Sequence, residues 1–293
     1  MQFSQPENTG HIQSDAPIML IERLGQLYTT MSRVRMKEYI SAGRVEVDGR
    51  VCRKATALVD RRARVKILSK PQTRPYVGRG LDWLWEDRWL IFVVKHSGLL
   101  SAPNREGELS AKTLLDQYFD RTHQRCRAHV VHRLDKETSG VMVFAKQIEA
   151  ERRLESAWHE HVVDRRYVAL VSQPPVRREG TVISWLKENS AYLVYSSPTD
   201  NGGKRAVTHY KVIDSRLPQG RALIELKLET GRKNQIRVHL SDLGCPVCGD
   251  YKYGSQEDPE NRLCLHAFRL QLRHPITGEI LSFETPLPRW GRG

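Results

Sequence analysis

Val131-His132-Arg133-Leu134-Asp135-Lys136-Glu137-Thr138-Ser139-Gly140 is the stretch on which the fold turns. Apolar residues flank it, Val130 before and Val141, Met142, Val143, Phe144 and Ala145 after, a pattern that reads as buried strand interrupted by a polar turn. An interruption of this kind fixes an imidazole, a guanidinium and a carboxylate at a cleft floor. Read alone, the stretch fits equally a polar hairpin connection carrying a surface ion pair.

The chain has 293 residues, enough for one large and one small domain. Its formal charge of +13 implies an anionic partner, with nucleic acid favoured over an anionic membrane surface. No apolar run approaches the ~18 residues of a membrane span. The start, Met1-Gln2-Phe3-Ser4-Gln5-Pro6, has no secretory pattern, so a cytoplasmic protein is expected. Five cysteines are an odd number for a disulfide framework. Cys245, Cys248, Cys264 and His266 have the ligand types of a zinc site. The first pair follows a helix end at Gly244, however, and the second alternates within an apolar strand, so buried thiols without metal are expected.

Residues 1–16 are polar and aperiodic, which predicts disorder. In 17–68, Leu20, Ile21, Leu24 and Leu27 share one helical face. Ser32 caps a second helix with Val34, Tyr39 and Ile40 inward and Gly43 as its stop. Val45, Val47 and Val51 alternate around Asp48-Gly49, a two-residue hairpin signal, and Val59, Val65 and Ile67 predict one further strand. This helix–helix–hairpin module is densely basic. Arg33, Arg35 and Lys37 crowd a helix start, where positive charge opposes the dipole; with Arg44 and Arg50 they point to RNA phosphates. The Pro-, Gly- and base-rich stretch 69–80 reads as a linker. In 81–293, strands are predicted near 89–94, 139–145, 165–171, 181–186, 206–213, 222–228, 263–272 and 280–283, with helices over 109–119, 147–161 and after Thr230-Gly231-Arg232. Strands outnumber helices and do not alternate regularly with them. That predicts an α+β fold, a mixed, largely antiparallel central sheet with packed helices.

Several segments then resemble one family, in its order. His132-Arg133-Leu134-Asp135-x-x-Thr138-Ser139-Gly140, followed by an apolar strand and Ala145-Lys146, resembles the signature of the RluA-type branch of the large-subunit ribosomal RNA pseudouridine synthases. So do Arg166-Tyr167-Val168-Ala169, the run from Leu228 to Leu240 containing Gln235-Ile236-Arg237, Gly249-Asp250-x-x-Tyr253-Gly254, and Leu265-His266-Ala267 with His274-Pro275-x-Thr277-Gly278-Glu279. Two departures are visible. Lys95-His96-Ser97-Gly98-Leu99 lacks the family's proline, and Asn234 stands where many members have His. Around Ser32-Arg33 and Gly43-Arg44-Val45-x-Val47-x-Gly49, the N-terminal module resembles the RNA-binding domain named after ribosomal protein S4.

The resemblance implies a pseudouridine synthase fold and an isomerase acting on uridine in RNA, with large-subunit ribosomal RNA as partner; the chemistry requires no cofactor, and a monomer is expected. It makes Asp135 the catalytic carboxylate, Arg237 its paired cation and Tyr167 the active-site tyrosine stacked on the base. Arg133, Ile236, His132 and Thr138 become substrate-binding, Arg133 occupying the space of a flipped-out nucleotide or holding a phosphate and Ile236 forming an apolar wall, while Tyr167 also serves as a proton acceptor near C5. Isomerisation is redox-neutral, and no phosphate loop or dinucleotide fingerprint is present. Burial raises the pKa of a carboxyl, so a neighbouring cation must oppose it. Whether Asp135 attacks the sugar, adds to the base or removes a proton toward a glycal stays open. Two other readings stand beside this one: a paired-carboxylate glycosidase using Glu137, and a noncatalytic RNA-binding protein.

Overall fold

A computed structural model describes residues 16–69 and 75–291, the Arg50 side chain excepted. The disorder expected over 1–16 falls, but for Ala16, outside the described residues, as do 70–74 of the expected linker. The chain divides into two compact units between Pro75 and Tyr76.

The first unit runs β1 (Ile18–Met19), α1 (Leu20–Leu27), α2 (Arg33–Ser41), β2 (Val45–Val47), β3 (Arg50–Val51), β4 (Leu58–Val59) and β5 (Val65–Ile67). Leu20, Ile21 and Leu24 meet Met36, Ile40 and Val45 in its core. Two residues expected inward face solvent, Leu27 at 44% and Val34 at 68% exposure, and Met36 takes the inward place on α2. The Ser32 hydroxyl accepts from the Arg35 N–H at 3.3 Å, the expected cap. Asp48 and Gly49 both have positive φ (48° and 82°), which closes the β2–β3 hairpin. The one further strand expected is two. β4 pairs with β1 and β5 with β2, because Asp60 accepts from the Arg62 N–H and turns the chain between them.

The second unit contains β6 (Tyr76–Gly78), β7 (Leu81–Glu86), β8 (Leu90–Lys95), α3 (Ala111–Arg121), β9 (Ser139–Ala145), α4 (Ile148–Ser156), α5 (Trp158–His161), β10 (Val162–Val171), β11 (Glu179–Glu188), β12 (Val194–Ser197), β13 (Lys204–Asp214), β14 (Ala222–Leu228), α6 (Gln235–Asp242), β15 (Leu265–Arg273) and β16 (Ile280–Glu284). They form one sheet in the order β12-β11-β13-β14-β10-β15-β9-β8-β7-β6, with β16 also against β15. Among the described pairings only β9–β15 is parallel, which gives the mixed, largely antiparallel sheet expected of an α+β fold. The linker reading fails at its C-terminal end. Tyr76–Gly78 are an edge strand, with Val77 buried and the Tyr76 carbonyl held by Arg121 Nη2 at 2.6 Å. Their Gly content serves the β6–β7 turn, where Gly80 has φ 86°. The helix expected over 147–161 breaks at Ala157 (φ −134°, ψ 39°) into α4 and α5.

β9 is buried along its whole length. Met142 and Phe144 face Leu115 and Phe119 of α3 on one side, and Val143 faces Phe92 and Leu154 on the other. Burial on both faces explains the unbroken apolar run. Gly140 (φ 133°) begins it, and any side chain there would overlap the Ala267 backbone. Glycine therefore permits the registers His266↔Ser139 and Ala267↔Gly140 by which β15 joins β9. β15 thus stands between β10 and β9 and links two halves of the sheet. No helix among the described residues is long and apolar enough to cross a membrane.

Candidate active site

The loop entering β9 is pinned from the segment after β8. Ser101 Oγ donates to the Leu134 carbonyl at 2.7 Å and accepts from its N–H at 3.0 Å. Lys95, fully buried, gives its three ammonium protons to the carbonyls of His96 (3.0 Å), Leu99 (2.7 Å) and Lys136 (2.9 Å). Burial lowers this ammonium to about 7, against the attraction of Glu137 and Asp135. The Gly98 N–H donates to the Lys136 carbonyl at 2.9 Å and Ser97 Oγ to that of Glu137 at 2.8 Å. The segment lacking the family's proline thus grips the backbone after Asp135, and Ser101 grips Leu134 before it.

Asp135 lines a cavity of about 270 Å³, and so do Arg133, His132, Thr138, Tyr167, Ile236 and Arg237. The structure therefore brings together all seven residues expected from 132–138, 167 and 236–237. The cavity lies near the lower end of the ~300–1,000 Å³ range of small-molecule sites. Burial pushes the Asp135 carboxyl above the usual carboxylate range; Arg237, Arg133, Lys95 and the Asn234 backbone N–H oppose this without cancelling it. The Asn234 N–H belongs to the N-terminus of α6, whose dipole favours a carboxylate. Asn234 has φ 55°, a left-handed conformation that asparagine tolerates. α6 is anchored through Gln235, which donates to the Val207 carbonyl (3.0 Å) and Thr208 Oγ1 (2.9 Å) and accepts from Thr230 Oγ1 (2.7 Å).

Arg237 departs from the expected direct pairing with Asp135. Its Nε and Nη2 donate to Asp250 Oδ2 and Oδ1, each at 2.7 Å, and Nη1 to Asn234 Oδ1 at 3.1 Å. It reaches Asp135 only through its charge. Asp250 has a wholly buried side chain and was visible in the sequence only as part of Gly249-Asp250-x-x-Tyr253. Tyr167 is buried in β10, and its hydroxyl has no partner among the described residues; burial, reinforced by the Asp135 charge, raises its pKa. His132 accepts the Val143 N–H on Nε2 at 3.1 Å, which places its proton on Nδ1, and burial lowers it to about 3. Its ring stacks on Trp158 at 5.1 Å. Sequence reading left Trp158 on a core-facing helix and gave Arg165, two residues before Tyr167, no role; both line the cavity.

Glu137 is exposed and does not line the cavity, which removes the paired-carboxylate reading. His266 hydrogen-bonds a hydroxyl through each ring nitrogen, Nδ1 with Ser139 Oγ and Nε2 with Thr285 Oγ1, each at 2.7 Å, one nitrogen donating and the other accepting. Burial pushes Cys245, Cys248 and Cys264 up to about 12, 11 and 12. The three thiols lie in the hydrophobic core, and His266 ties Ser139 to Thr285. In the first unit Arg33, Arg35 and Lys37 are exposed. Arg35 Nε donates to Tyr39 Oη at 3.1 Å, while Arg44 lies over the Tyr39 ring and gives its Nε to the Leu68 carbonyl at 2.9 Å. The Arg50 side chain lies outside the described residues.

Residues 89–242, which carry Asp135, Tyr167 and Arg237, match the RNA pseudouridylate synthase family. The chain belongs to this family. The synthase is 36% identical over 209 residues to the uncharacterized RNA pseudouridine synthase YhcT of Bacillus subtilis, covering 71% of this chain and 69% of that one. It is 33% identical over 303 residues to the ribosomal large subunit pseudouridine synthase D of Nitrosomonas europaea, covering 98% and 85%. Among solved structures, the synthase resembles human RNA pseudouridylate synthase domain containing 4, with TM-score 0.58, 28% identity, and coverage of 71% of this chain and 89% of that one.

Proposed function

We propose that this synthase isomerises uridine in large-subunit ribosomal RNA, with Asp135 as its catalytic carboxylate, Tyr167 as the base-stacking residue and Arg237 as the cation that keeps Asp135 competent. The observation that carries the reading is the placement of Asp135 at the cavity wall beside an unpartnered Tyr167 hydroxyl, within the field of Arg237. A cavity of about 270 Å³ admits a single nucleoside and no duplex, so the target nucleotide enters by leaving its stack. Ile236 and Leu228 supply apolar walls, His132 and Thr138 polar ones, and the exposed Arg133 fills the space the nucleotide vacates or holds a phosphate.

The reaction breaks N1–C1′ and forms C5–C1′. The C5 proton leaves, N1 gains one, and the product is an isomer of the substrate. No electron is exchanged, so no redox cofactor has a step to perform. Deprotonated Asp135 stabilises or captures the electron-poor centre formed when the glycosidic bond opens, and Tyr167, lining the same cavity, serves as proton acceptor for C5. The ribosomal assignment is supported by the relative that spans nearly the whole chain and bears that substrate in its name. The basic first unit suits a second grip on a large structured RNA, as its resemblance to the S4-type domain implies.

The test is release of tritium from RNA carrying 5-tritiated uridine, which occurs only when C5 exchanges its hydrogen for C1′. Wild-type protein releases tritium from large-subunit RNA and Asp135→Asn does not. Equal release by the variant rejects Asp135. Release from transfer RNA alone rejects the ribosomal assignment, and the modified uridine is found by mapping pseudouridine in cells with and without the gene.

A further inference from the structure

Arg165 is a buried cation without a counter-ion. It is 8% exposed on β10, and none of its nitrogens has a hydrogen-bond or carboxylate partner among the described residues; Nε is wholly enclosed. Asp135 shares the active-site cavity but forms no ion pair with Arg165, and the carboxylates near Arg165 in sequence and on or just after β14 are engaged elsewhere. Asp164 and Glu225 hold Arg166, each at 2.8 Å, and Glu229 holds His209 at 2.7 Å. An enclosed, unpaired guanidinium is unfavourable unless a ligand completes it.

Its position says which ligand. Arg165 lines the active-site cavity and also a second cavity of about 250 Å³ beside it, bounded by Trp158, Lys227 and Leu228. Residues 165 and 167 share a face of β10, so the guanidinium and the Tyr167 ring open into the same space. The register shift between Arg166 and Tyr167 puts the extra residue, Phe268, on β15, so β10 keeps its alternation here. Gly231 keeps the approach clear, since a Cβ there would stand 3.0 Å from Arg165 Nη1. The guanidinium also lies 5.9 Å from the Trp158 ring, a surface on which a base can stack.

We propose that Arg165 binds an RNA phosphodiester adjoining the flipped uridine, and that the second cavity beside Trp158 receives the neighbouring nucleotide. This rests on the reading of the protein as an RNA-modifying enzyme and adds to it a phosphate subsite. A guanidinium fork matches two phosphate oxygens, and the strand leaving the nucleotide cavity carries one such group per residue.

The experiment uses the full chain and an in vitro large-subunit ribosomal RNA transcript carrying 5-tritiated uridine. Filter binding from about 50 to about 200 mM KCl is compared for wild type, Arg165→Met and Arg165→Lys, together with kcat and KM for tritium release. Arg165→Met is expected to raise KM roughly tenfold with kcat little changed, and to make the slope of log Kd against log salt shallower by about one. Arg165→Lys recovers most of both. Its melting temperature serves as the structural control: loss of an unpaired buried charge leaves Arg165→Met as stable as wild type or more so. An unchanged salt slope with a lost kcat would assign Arg165 to the reacting base and overturn the phosphate subsite. A markedly lower melting temperature would make the guanidinium structural and overturn it as well. If wild type itself releases no tritium, the enzymatic reading fails, and the salt slope still reports on Arg165.

Discussion

Arg237 gives two hydrogen bonds to Asp250, 2.7 Å from Nε to Oδ2 and 2.7 Å from Nη2 to Oδ1, and acts on Asp135 through its field alone. One guanidinium therefore answers two carboxylates in different ways: one fixes where it sits, and the other depends on its being there. Asp250→Asn breaks the charged fork but keeps the shape. The expected result is a fall in kcat of about 10–100-fold, the value of one or two charge-assisted hydrogen bonds. The acid limb of the pH–rate profile should also move upward, because a displaced Arg237 opposes the desolvation of Asp135 less well. A rate loss with an unmoved limb would show that Asp250 acts on folding alone.

Burial raises the Asp135 carboxyl, so the folded chain takes up its proton more readily than the unfolded chain. Stability from this group therefore falls as pH rises from the ordinary Asp value of about 4 through the raised one. Activity needs the ionised form and rises over the same interval. Asp135→Asn should abolish tritium release and raise the melting temperature at neutral pH. A lower melting temperature would contradict the assigned direction.

Lys95→Met keeps the length of the side chain and removes all three donors to the His96, Leu99 and Lys136 carbonyls. Stranding buried acceptors at about 1–3 kcal/mol each should cost on the order of 3 kcal/mol or more in urea unfolding. Tritium release should drop too, since Lys136 follows Asp135 directly. Full activity at reduced stability would mean that the Ser97, Gly98 and Ser101 contacts suffice to hold the loop.

His132, His239 and His266 are held neutral, burial lowering them to about 3, 4 and 4. In the unfolded chain they take protons near pH 6.5, so the stability they contribute is complete above that value and is lost as pH falls toward 4. At ~1.4 kcal/mol per tenfold change in protonation equilibrium, acidification should remove several kcal/mol in all. Melting curves from pH 7 to 4.5 test this, and His239→Gln should flatten the decline. His239 is the cleanest probe because it bonds Thr208 and Ser184, not the nucleotide cavity.

Local signals exposed much of this in the sequence. Ser32, Asp48-Gly49 and the two-sided apolar run of β9 express caps, turns and burial that depend on near neighbours. Pairings between distant segments were less legible. Val59, Val65 and Ile67 look like one strand until the Asp60 turn separates them, and Tyr76–Gly78 look like a tether because an edge strand shares its composition with linkers. At the site, the seven expected residues converge, since each stands in a segment with a recognisable pattern. Asp250 and Arg165 escaped notice for opposite reasons. The role of Asp250 appears only once its partner is known, and that of Arg165 only once Asp164, Glu225 and Glu229 are seen to be engaged elsewhere.

β15, the second-to-last strand, holds together what precedes it. The Asp135 loop leads into β9, while Tyr167 sits on β10 and α6 packs toward β13; the strand hydrogen-bonded to both β9 and β10 begins only at Leu265. During synthesis, a nascent chain would present nearly every cavity side chain before these two half-sheets could zip together. The active site should thus stay unassembled in a nascent chain until β15 has left the ribosome.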